Sequence, residues 1–103
     1  MTVVFDLDNT LTDELGATVR PGIPALLQRL RREGHTLVLW TNSRRDRARA
    51  ILRDHGLDRY FGRMVFREDY DPADRGVRKD VRAVGGDVLV DDSPEEVAFA
   101  AST

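Results

Sequence analysis

The 103-residue sequence has room for one domain with one modest hydrophobic core. Its 41% hydrophobic and 33% charged residues are typical of a soluble globular protein, and the absence of cysteine excludes disulfides and thiolate metal sites. The net charge of −2 gives no general reason to expect a nucleic acid or an anionic membrane as a partner. The apolar run at residues 3–5 is too short for a signal peptide or a membrane span, so we expect a cytoplasmic protein.

Short apolar runs alternate with helical patterns along the chain. The apolar runs predict buried strands, at residues 2–7, 36–40, 63–66 and 87–90. Helical spacing and glycine stops predict three helices, which begin after Pro21, near Arg44 and near Val77, the last being marked by Val77, Val81 and Val84. Residues 69–76 are predicted to be a loop, and the run Ser93-Pro94-Glu95-Glu96 is typical of a capping box.

Strands without polar alternation, joined by helices, indicate an α/β fold with a parallel sheet between two helical layers. We expect a three-layer, Rossmann-like single domain over residues 1–103, with the strand order 4-1-2-3. Ligands bind such sheets outside the carboxyl ends of the strands, where the strand order reverses. Here that point carries Asp6 and Asp8 after strand one and Asp91 and Asp92 after strand four.

Four carboxylates in one crevice repel each other unless a cation holds them. Their oxygen-only chemistry favours a hard ion, and we expect Mg²⁺ bound by Asp6, Asp8, Asp91 and Asp92. Each motif also has a plainer interpretation when it is taken alone. Residues 8–10 are common turn residues, and Asp91-Asp92 could cap a helix.

Residues 41–43 and Lys79 allow the same two interpretations. Thr41-Asn42-Ser43 is typical of a helix N-cap, or alternatively forms a phosphate cradle from a hydroxyl and backbone N–H groups. Lys79 could be a solvated helix residue, but it is the only lysine among 16 basic residues. A compact ammonium suits a point contact with a phosphoryl oxygen better than a guanidinium fork does.

Taken in order, these motifs resemble those of the haloacid dehalogenase superfamily phosphatases. They are Asp6-x-Asp8-x-Thr10 after strand one, Thr41 after strand two, then Lys79, then Asp91-Asp92 after strand four. The resemblance implies that Asp6 is the nucleophile that forms an aspartyl-phosphate.

The resemblance also implies roles for the remaining motif residues. Asp8 would act as general acid and then as general base. Thr41 with Asn42, and Lys79, would bind the phosphoryl oxygens, while Thr10 would orient the loop around Asp8. Asp6, the backbone carbonyl of Asp8, and Asp91 would hold Mg²⁺, with Asp92 either a ligand or beside the ligands.

The resemblance is strongest to the capless phosphatases that act on the RNA polymerase II tail, the NLI-interacting-factor-like group, and to their bacterial look-alikes. It is carried by four runs: Val38-Leu39-Trp40-Thr41, Phe66-Arg67-Glu68, Lys79-Asp80-Val81 and Leu89-Val90-Asp91-Asp92-Ser93-Pro94. Asn9 departs from the glutamate usual in that group.

The intervals between motifs are too short to hold a cap domain. An open site favours a large substrate, such as a phosphoprotein or a nucleic-acid end, or a partner that supplies the lid.

The end of the chain is a second departure, because members usually continue with another strand and helix after the fourth motif. The chain would then be a minimal or truncated member, or one that a partner completes. A bare strand-four edge would invite self-association or a partner chain.

Helix two carries an arginine run that is either a solvated face or a landing surface for an acidic macromolecule: Arg44, Arg45, Arg47, Arg49 and Arg53.

Three alternatives stay open at this point. A polynucleotide 3′-phosphatase would use the same motifs on a different substrate. A receiver-type signalling domain also places Asp, Thr and Lys at strand ends, but in a different order along the chain. A regulatory domain of the same fold could bind a partner without turnover.

Overall fold

The computed structural model describes residues 1–92, Glu96 and Phe99. Its strands are β1 (Thr2–Phe5), β2 (Thr36–Trp40), β3 (Arg63–Val65) and β4 (Val88–Val90). They form one parallel sheet in the order β3-β2-β1-β4. This is the predicted order 4-1-2-3 viewed from the other edge, so the predicted fold class and strand order are confirmed.

The helices connect these strands and lie on the faces of the sheet. They are α1 (Ile23–Arg32), α2 (Arg45–Asp54) and α3 (Arg67–Tyr70), with 3₁₀ helices at Asp58–Tyr60 and Val81–Val84. Within residues 1–92 the connections hold no inserted domain, in agreement with the prediction that the fold lacks a cap. Among the described helices, none has the length and apolar character needed to cross a membrane.

One face of the sheet holds the larger part of the core, under α1 and α2. Alternate residues of a strand point to opposite faces, which places Phe5 of β1 and Leu39 of β2 together on this side. Leu27 of α1 and Leu52 of α2 are fully buried against them. The apolar spacing of both helices therefore fixes which side of each helix faces the sheet.

The opposite face is covered only by short elements. Val4, Val38 and Trp40 point to this side, and Val81 and Tyr70 pack against them. The rings of Trp40 and Tyr70 meet edge to face, with their centroids 5.3 Å apart. No long helix lies here within residues 1–92, so the segment between β3 and β4 supplies the cover.

That segment departs from the predicted third helix. The structure has a 3₁₀ helix only at Val81–Val84, and Val77 is exposed instead of lying on a buried stripe. In this segment, side-chain carboxylates accept hydrogen bonds from backbone N–H groups. At the start of a regular helix such N–H groups would face solvent. Asp80 accepts from the Arg82 N–H, and Asp71 accepts from three N–H groups nearer to Val77.

Two further predictions, one for a loop boundary and one for a helix cap, are wrong. The predicted loop at 69–76 begins later, because α3 extends through Tyr70 and the Asp69 carboxylate accepts the Phe66 N–H at 2.9 Å. Residues 41–43 are not the N-cap of α2, which is Arg44. The carboxylate of Glu68 caps this helix from another element, at 2.9 Å from the Arg45 N. The predicted capping box at residues 93–96 lies outside the described residues except for Glu96.

Candidate active site

The carboxyl ends of β1, β2 and β4 open onto one cavity of about 650 Å³. Seven of the eight predicted site residues line it: Asp6, Asp8, Thr41, Asn42, Lys79, Asp91 and Asp92. The sheet register explains the convergence of all of these except Lys79, because residues that follow parallel neighbouring strands emerge at the same edge. Thr10 is the predicted site residue that does not line the cavity.

A buried ion-pair cluster lies at the base of the cavity. The Lys79 ammonium donates to Asp6 Oδ1 at 3.0 Å and also to Asp91 Oδ2. The side chains of Lys79 and Asp91 are only 4% and 1% exposed. One ammonium therefore bridges the carboxylates that follow the two neighbouring strands β1 and β4, and Lys79 is not a solvated surface residue.

Burial and charge shift the pKa values in this cluster. Burial raises the pKa of Asp6 to about 7, against the opposing attraction of Lys79, and the nearby charge of Asp91 adds to the rise. Burial by itself would lower the pKa of Lys79, but the charges of Asp6 and Asp91 outweigh it and the pKa is raised. The lysine stays an ammonium throughout the physiological range.

Lys79 reaches the cavity from an irregular segment that carboxylates hold in place. Its backbone N–H donates to both carboxylate oxygens of Glu96, each at 3.1 Å. Asp71 holds the start of the segment by accepting from the N–H groups of Arg75, Gly76 and Val77. These contacts determine where the Lys79 side chain enters the ion-pair cluster.

The acidic residues offer a set of ligands for a hard cation. One carboxylate oxygen from each of Asp6, Asp91 and Asp92 lies within 4.8 Å of the others. The donors are oxygens only, which is the chemistry that Mg²⁺ prefers. The predicted ligands therefore fit Mg²⁺ through these carboxylates, whereas the carboxylate of Asp8 lies outside the group.

A sharp turn after β1 carries Asp8. The Leu7 carbonyl accepts from the N–H groups of Thr10, Leu11 and Thr12, which curls the chain tightly back. Asn9 adopts a left-handed backbone with φ of 61°, a conformation that asparagine tolerates better than most residues. The Thr10 hydroxyl is buried and has no hydrogen-bond partner within the described part of the chain, so its predicted orienting role has no contact to support it.

The Asp8 carboxylate is held by an arginine of α2. Arg47 donates from Nη1 and Nη2 to the two carboxylate oxygens, at 3.1 and 3.0 Å. The arginine run of this helix predicted a solvated face or a landing surface, and nothing in it predicted this contact. The position of Arg47 three residues into α2, on the same side as Ser43, was the available signal.

The residues after β2 form the far wall of the cavity. The buried Thr41 hydroxyl accepts the Ser43 N–H at 3.0 Å, and the Asn42 side-chain carbonyl accepts from Tyr70 Oη at 3.2 Å. Arg67 donates through Nε to the Asn42 backbone carbonyl. The Ser43 N–H of the predicted phosphate cradle thus already has an acceptor within the loop.

Comparison with known protein families identifies the family of this chain. The profile of the NLI interacting factor-like phosphatases matches residues 1–103, the whole chain. The chain belongs to this family. A 38.0 kDa protein of Autographa californica nuclear polyhedrosis virus, described as uncharacterized, is 44% identical over 65 residues. That match covers 61% of this chain and 20% of the viral protein, so it spans about a fifth of the relative's length.

Two solved structures share the fold. The core domain of a protein assigned as a phosphoglycolate phosphatase from Streptococcus pneumoniae TIGR4 matches with a TM-score of 0.66 at 21% identity, covering 98% of this chain and 72% of that one. A chain of the Pnkp1/Rnl/Hen1 RNA repair complex matches with a TM-score of 0.67 at 18% identity, covering 95% and 38%. The predicted family and its haloacid dehalogenase-like fold are confirmed.

Proposed function

We propose that this chain is a Mg²⁺-dependent phosphomonoester hydrolase that works through an aspartyl-phosphate on Asp6. The observation that carries the proposal is the contact of one buried ammonium, Lys79, with both Asp6 and Asp91 at the carboxyl edge of the sheet. Membership of a phosphatase family supports the reaction class. An ion pair with a purely structural role does not require a cavity, whereas the side chains of this cluster line a cavity of about 650 Å³.

The residues around Asp6 suit an anionic phosphoryl group. Lys79 would bind one phosphoryl oxygen while it balances the acidic cluster, and Thr41 with Asn42 would bind others from the β2 side. Asp6, Asp91 and Asp92 would hold Mg²⁺, together with the Asp8 carbonyl. When bound, this ion supplies positive charge that offsets the repulsion between the acidic side chains and the phosphate.

The reaction would proceed in two steps. An Asp6 carboxylate oxygen attacks phosphorus, the bond from phosphorus to the leaving oxygen breaks, and Asp8 gives its proton to that oxygen. A water then attacks the phosphorus of the aspartyl-phosphate and passes a proton to Asp8. The bond between phosphorus and the Asp6 oxygen breaks, which releases inorganic phosphate and restores both carboxyl groups.

The substrate we propose is a phosphoprotein. The described connections add no domain over the cavity, so a bulky substrate can reach it. Aromatic side chains suited to stacking bases are buried or half-buried within residues 1–92, and the exposed large apolar residues there are aliphatic. We therefore rank a phosphorylated peptide above a 3′-phosphorylated nucleic-acid end.

A substrate panel tests the proposal. Phosphopeptides, 3′-phosphorylated oligonucleotides and p-nitrophenyl phosphate would be offered with Mg²⁺ and with excess EDTA. We expect Mg²⁺-dependent release of phosphate from the aryl phosphate and from a phosphopeptide. Hydrolysis of the oligonucleotide alone would change the substrate class, and binding of a phosphopeptide without turnover would identify a binding domain.

A further inference from the structure

The guanidinium of Arg47 joins three separate segments at the mouth of the cavity. Besides its two bonds to Asp8, Nη1 donates to Ser43 Oγ at 3.0 Å and Nη2 donates to the Glu14 carbonyl at 3.2 Å. One side chain on α2 therefore fixes the turn after β1, the end of the β2 loop and the loop that follows the turn.

The fold aims Arg47 at this junction. Ala48 and Leu52 are fully buried, and they fix the rotation of α2 about its axis. Glu68 fixes the start of the helix through the Arg45 N–H. With both constraints, Arg47 is directed to the cavity from one turn beyond Ser43.

An ordinary surface ion pair does not account for these contacts. The side chains of Arg47 and Asp8 are 43% and 30% exposed, and an isolated pair at such exposure adds little stability. The fork instead meets both oxygens of one carboxylate, a geometry that confers orientation as well as attraction. A lysine could not make the same paired contact.

The other arginines of α2 make different contacts. The guanidinium groups of Arg45 and Arg49 lie over the Phe66 ring, 5.4 and 5.5 Å from its centroid. Arg53 is exposed and lines a separate cavity near Asp58. Of the residues on α2, Arg47 is the one that the described contacts connect to a predicted catalytic carboxylate.

We propose that Arg47 is a positioning residue that orients the Asp8 carboxyl group toward the leaving oxygen of the phosphate ester. The inference rests on the proposed function, since it needs Asp8 to transfer a proton there. A protonated carboxyl group has one O–H donor and keeps acceptor capacity on its oxygens, so Arg47 can hold the group while its O–H is donated to the leaving oxygen. Holding a proton donor in place matters most when the leaving oxygen is a poor leaving group.

Leaving-group dependence tests the inference. Wild type, Arg47→Gln, Arg47→Lys and Arg53→Gln would be assayed on p-nitrophenyl phosphate, which has a good leaving group, and on a phosphoserine peptide, which has a poor one. We expect Arg47→Gln to lower kcat about 100-fold on the peptide and less than about fivefold on the aryl phosphate, with KM little changed. Arg53→Gln makes the same charge change on the same helix and should match wild type.

The other outcomes separate this inference from the proposed function. Equal losses on both substrates, or a raised KM with unchanged kcat, would make Arg47 an anion contact and overturn the inference alone. A wild-type chain that hydrolyses neither phosphate would overturn both. If circular dichroism shows that Arg47→Gln is unfolded, Arg47→Lys decides the matter, because it keeps the charge without the fork and should keep the selective loss on the peptide.

Discussion

The two sides of the cavity are held by different kinds of interaction. On the β1–β2 side, Asp6 and Thr41 follow strands that pair along their length and are buried beneath α1 and α2. On the β4 side, Lys79 lies in a segment without a regular helix, held by the carboxylates of Asp71 and Glu96. The first side takes its shape from hydrophobic packing, and the second from side-chain hydrogen bonds to the backbone.

Because the two sides are held by different interactions, we expect one side to determine stability and the other to determine activity. Apolar burial is the dominant stabilising term in folding, so the β1–β2 side should determine the free energy of unfolding. The carboxylate contacts of the β4 side each contribute less to stability, but they set where Lys79 lies. Substitutions on the two sides should therefore affect different measurements.

The largest effect should come from Asp6→Asn at the end of β1. An amide cannot act as the nucleophile, so turnover should fall by at least about 1,000-fold while the fold persists. The measurement is Mg²⁺-dependent hydrolysis of p-nitrophenyl phosphate, with circular dichroism to check folding. Beryllofluoride with Mg²⁺ should form its adduct on Asp6 in the wild type. Full activity in the variant, or an adduct on another residue, would show that the nucleophile is misassigned.

Lys79→Arg should have the next largest effect, on the β4 side. The ammonium is buried between two carboxylates, where a planar, bulkier guanidinium cannot make the same two point contacts. We expect kcat to fall about 100-fold although the charge is kept. Arg82→Lys, at an exposed arginine paired with Asp80, is the control and should retain activity. A near-normal kcat in Lys79→Arg would show that Lys79 does not bind the phosphoryl group.

A pair of substitutions tests the comparison directly. Leu27→Ala leaves a cavity under α1 and should lower the free energy of unfolding by about 2–5 kcal/mol, with activity retained by the folded fraction. Asp71→Asn should lower the melting temperature less, but should reduce activity about tenfold, because the amide nitrogen cannot accept the N–H groups that one carboxylate oxygen accepts and the Lys79 segment is held less firmly. Thermal melts and kcat measured on the same samples give both readouts. The reverse pattern would mean that the two sides do not divide in this way.

The Asp71 contact also predicts a pH dependence. Hydrogen bonds from the backbone N–H groups of Arg75, Val77 and Gly76 hold the pKa of Asp71 below its usual value. A carboxyl group whose pKa is lower in the folded state contributes stability above its unfolded pKa, about 3.9, and loses it as the pH falls through the folded value. The difference in stability between wild type and Asp71→Asn should therefore be constant near neutral pH and should shrink below about pH 4. A difference that grows on acidification would contradict this origin.

The sequence predicted the β1–β2 side better than the β4 side for a physical reason. Apolar periodicity determined β2 to the residue and gave the cores of α1 and α2, because burial repeats with the helix and strand periods. The contacts of Glu96 with Lys79 and of Arg47 with Asp8 join residues 17 and 39 positions apart. No local pattern encodes such pairs, so the site residues could be named from ordered motifs while the residues that hold them could not.

Mg²⁺ should stabilise the chain by binding the folded state. Asp6, Asp91 and Asp92 are brought together only by folding, and an ion at 100 times its Kd would add about 2.7 kcal/mol. We expect the melting temperature to rise by several degrees in Mg²⁺ and expect Asp92→Asn to reduce that rise. Asp54→Asn, which removes an exposed carboxylate on α2, is the matched control. A melting temperature indifferent to Mg²⁺ in the wild type would count against these ligands, independently of any activity assay.

The smallest effect concerns the outer edge of β4. Among the described residues β4 pairs only with β1, and its Val88 and Val90 are 40% and 38% exposed. They share a face with Val3 and Phe5 in the pairing register, so the apolar side of the sheet continues to this edge beyond the cover of α1 and α2. Exposed edge strands with apolar side chains favour pairing with another chain.

We therefore expect weak self-association at high protein concentration, and expect Val88→Lys to reduce it, because a lysine at an edge resists strand pairing. Leu26→Lys is the control, since it removes a side chain of the same 40% exposure from α1 rather than from the strand. Light scattering over a concentration series measures the effect, which should be a shift in apparent mass without a change in kcat. An association that both substitutions weaken equally would be general hydrophobic attraction. A monomer at every concentration would mean that the β4 edge is already protected, and the expected link between the open edge and a second chain would be lost.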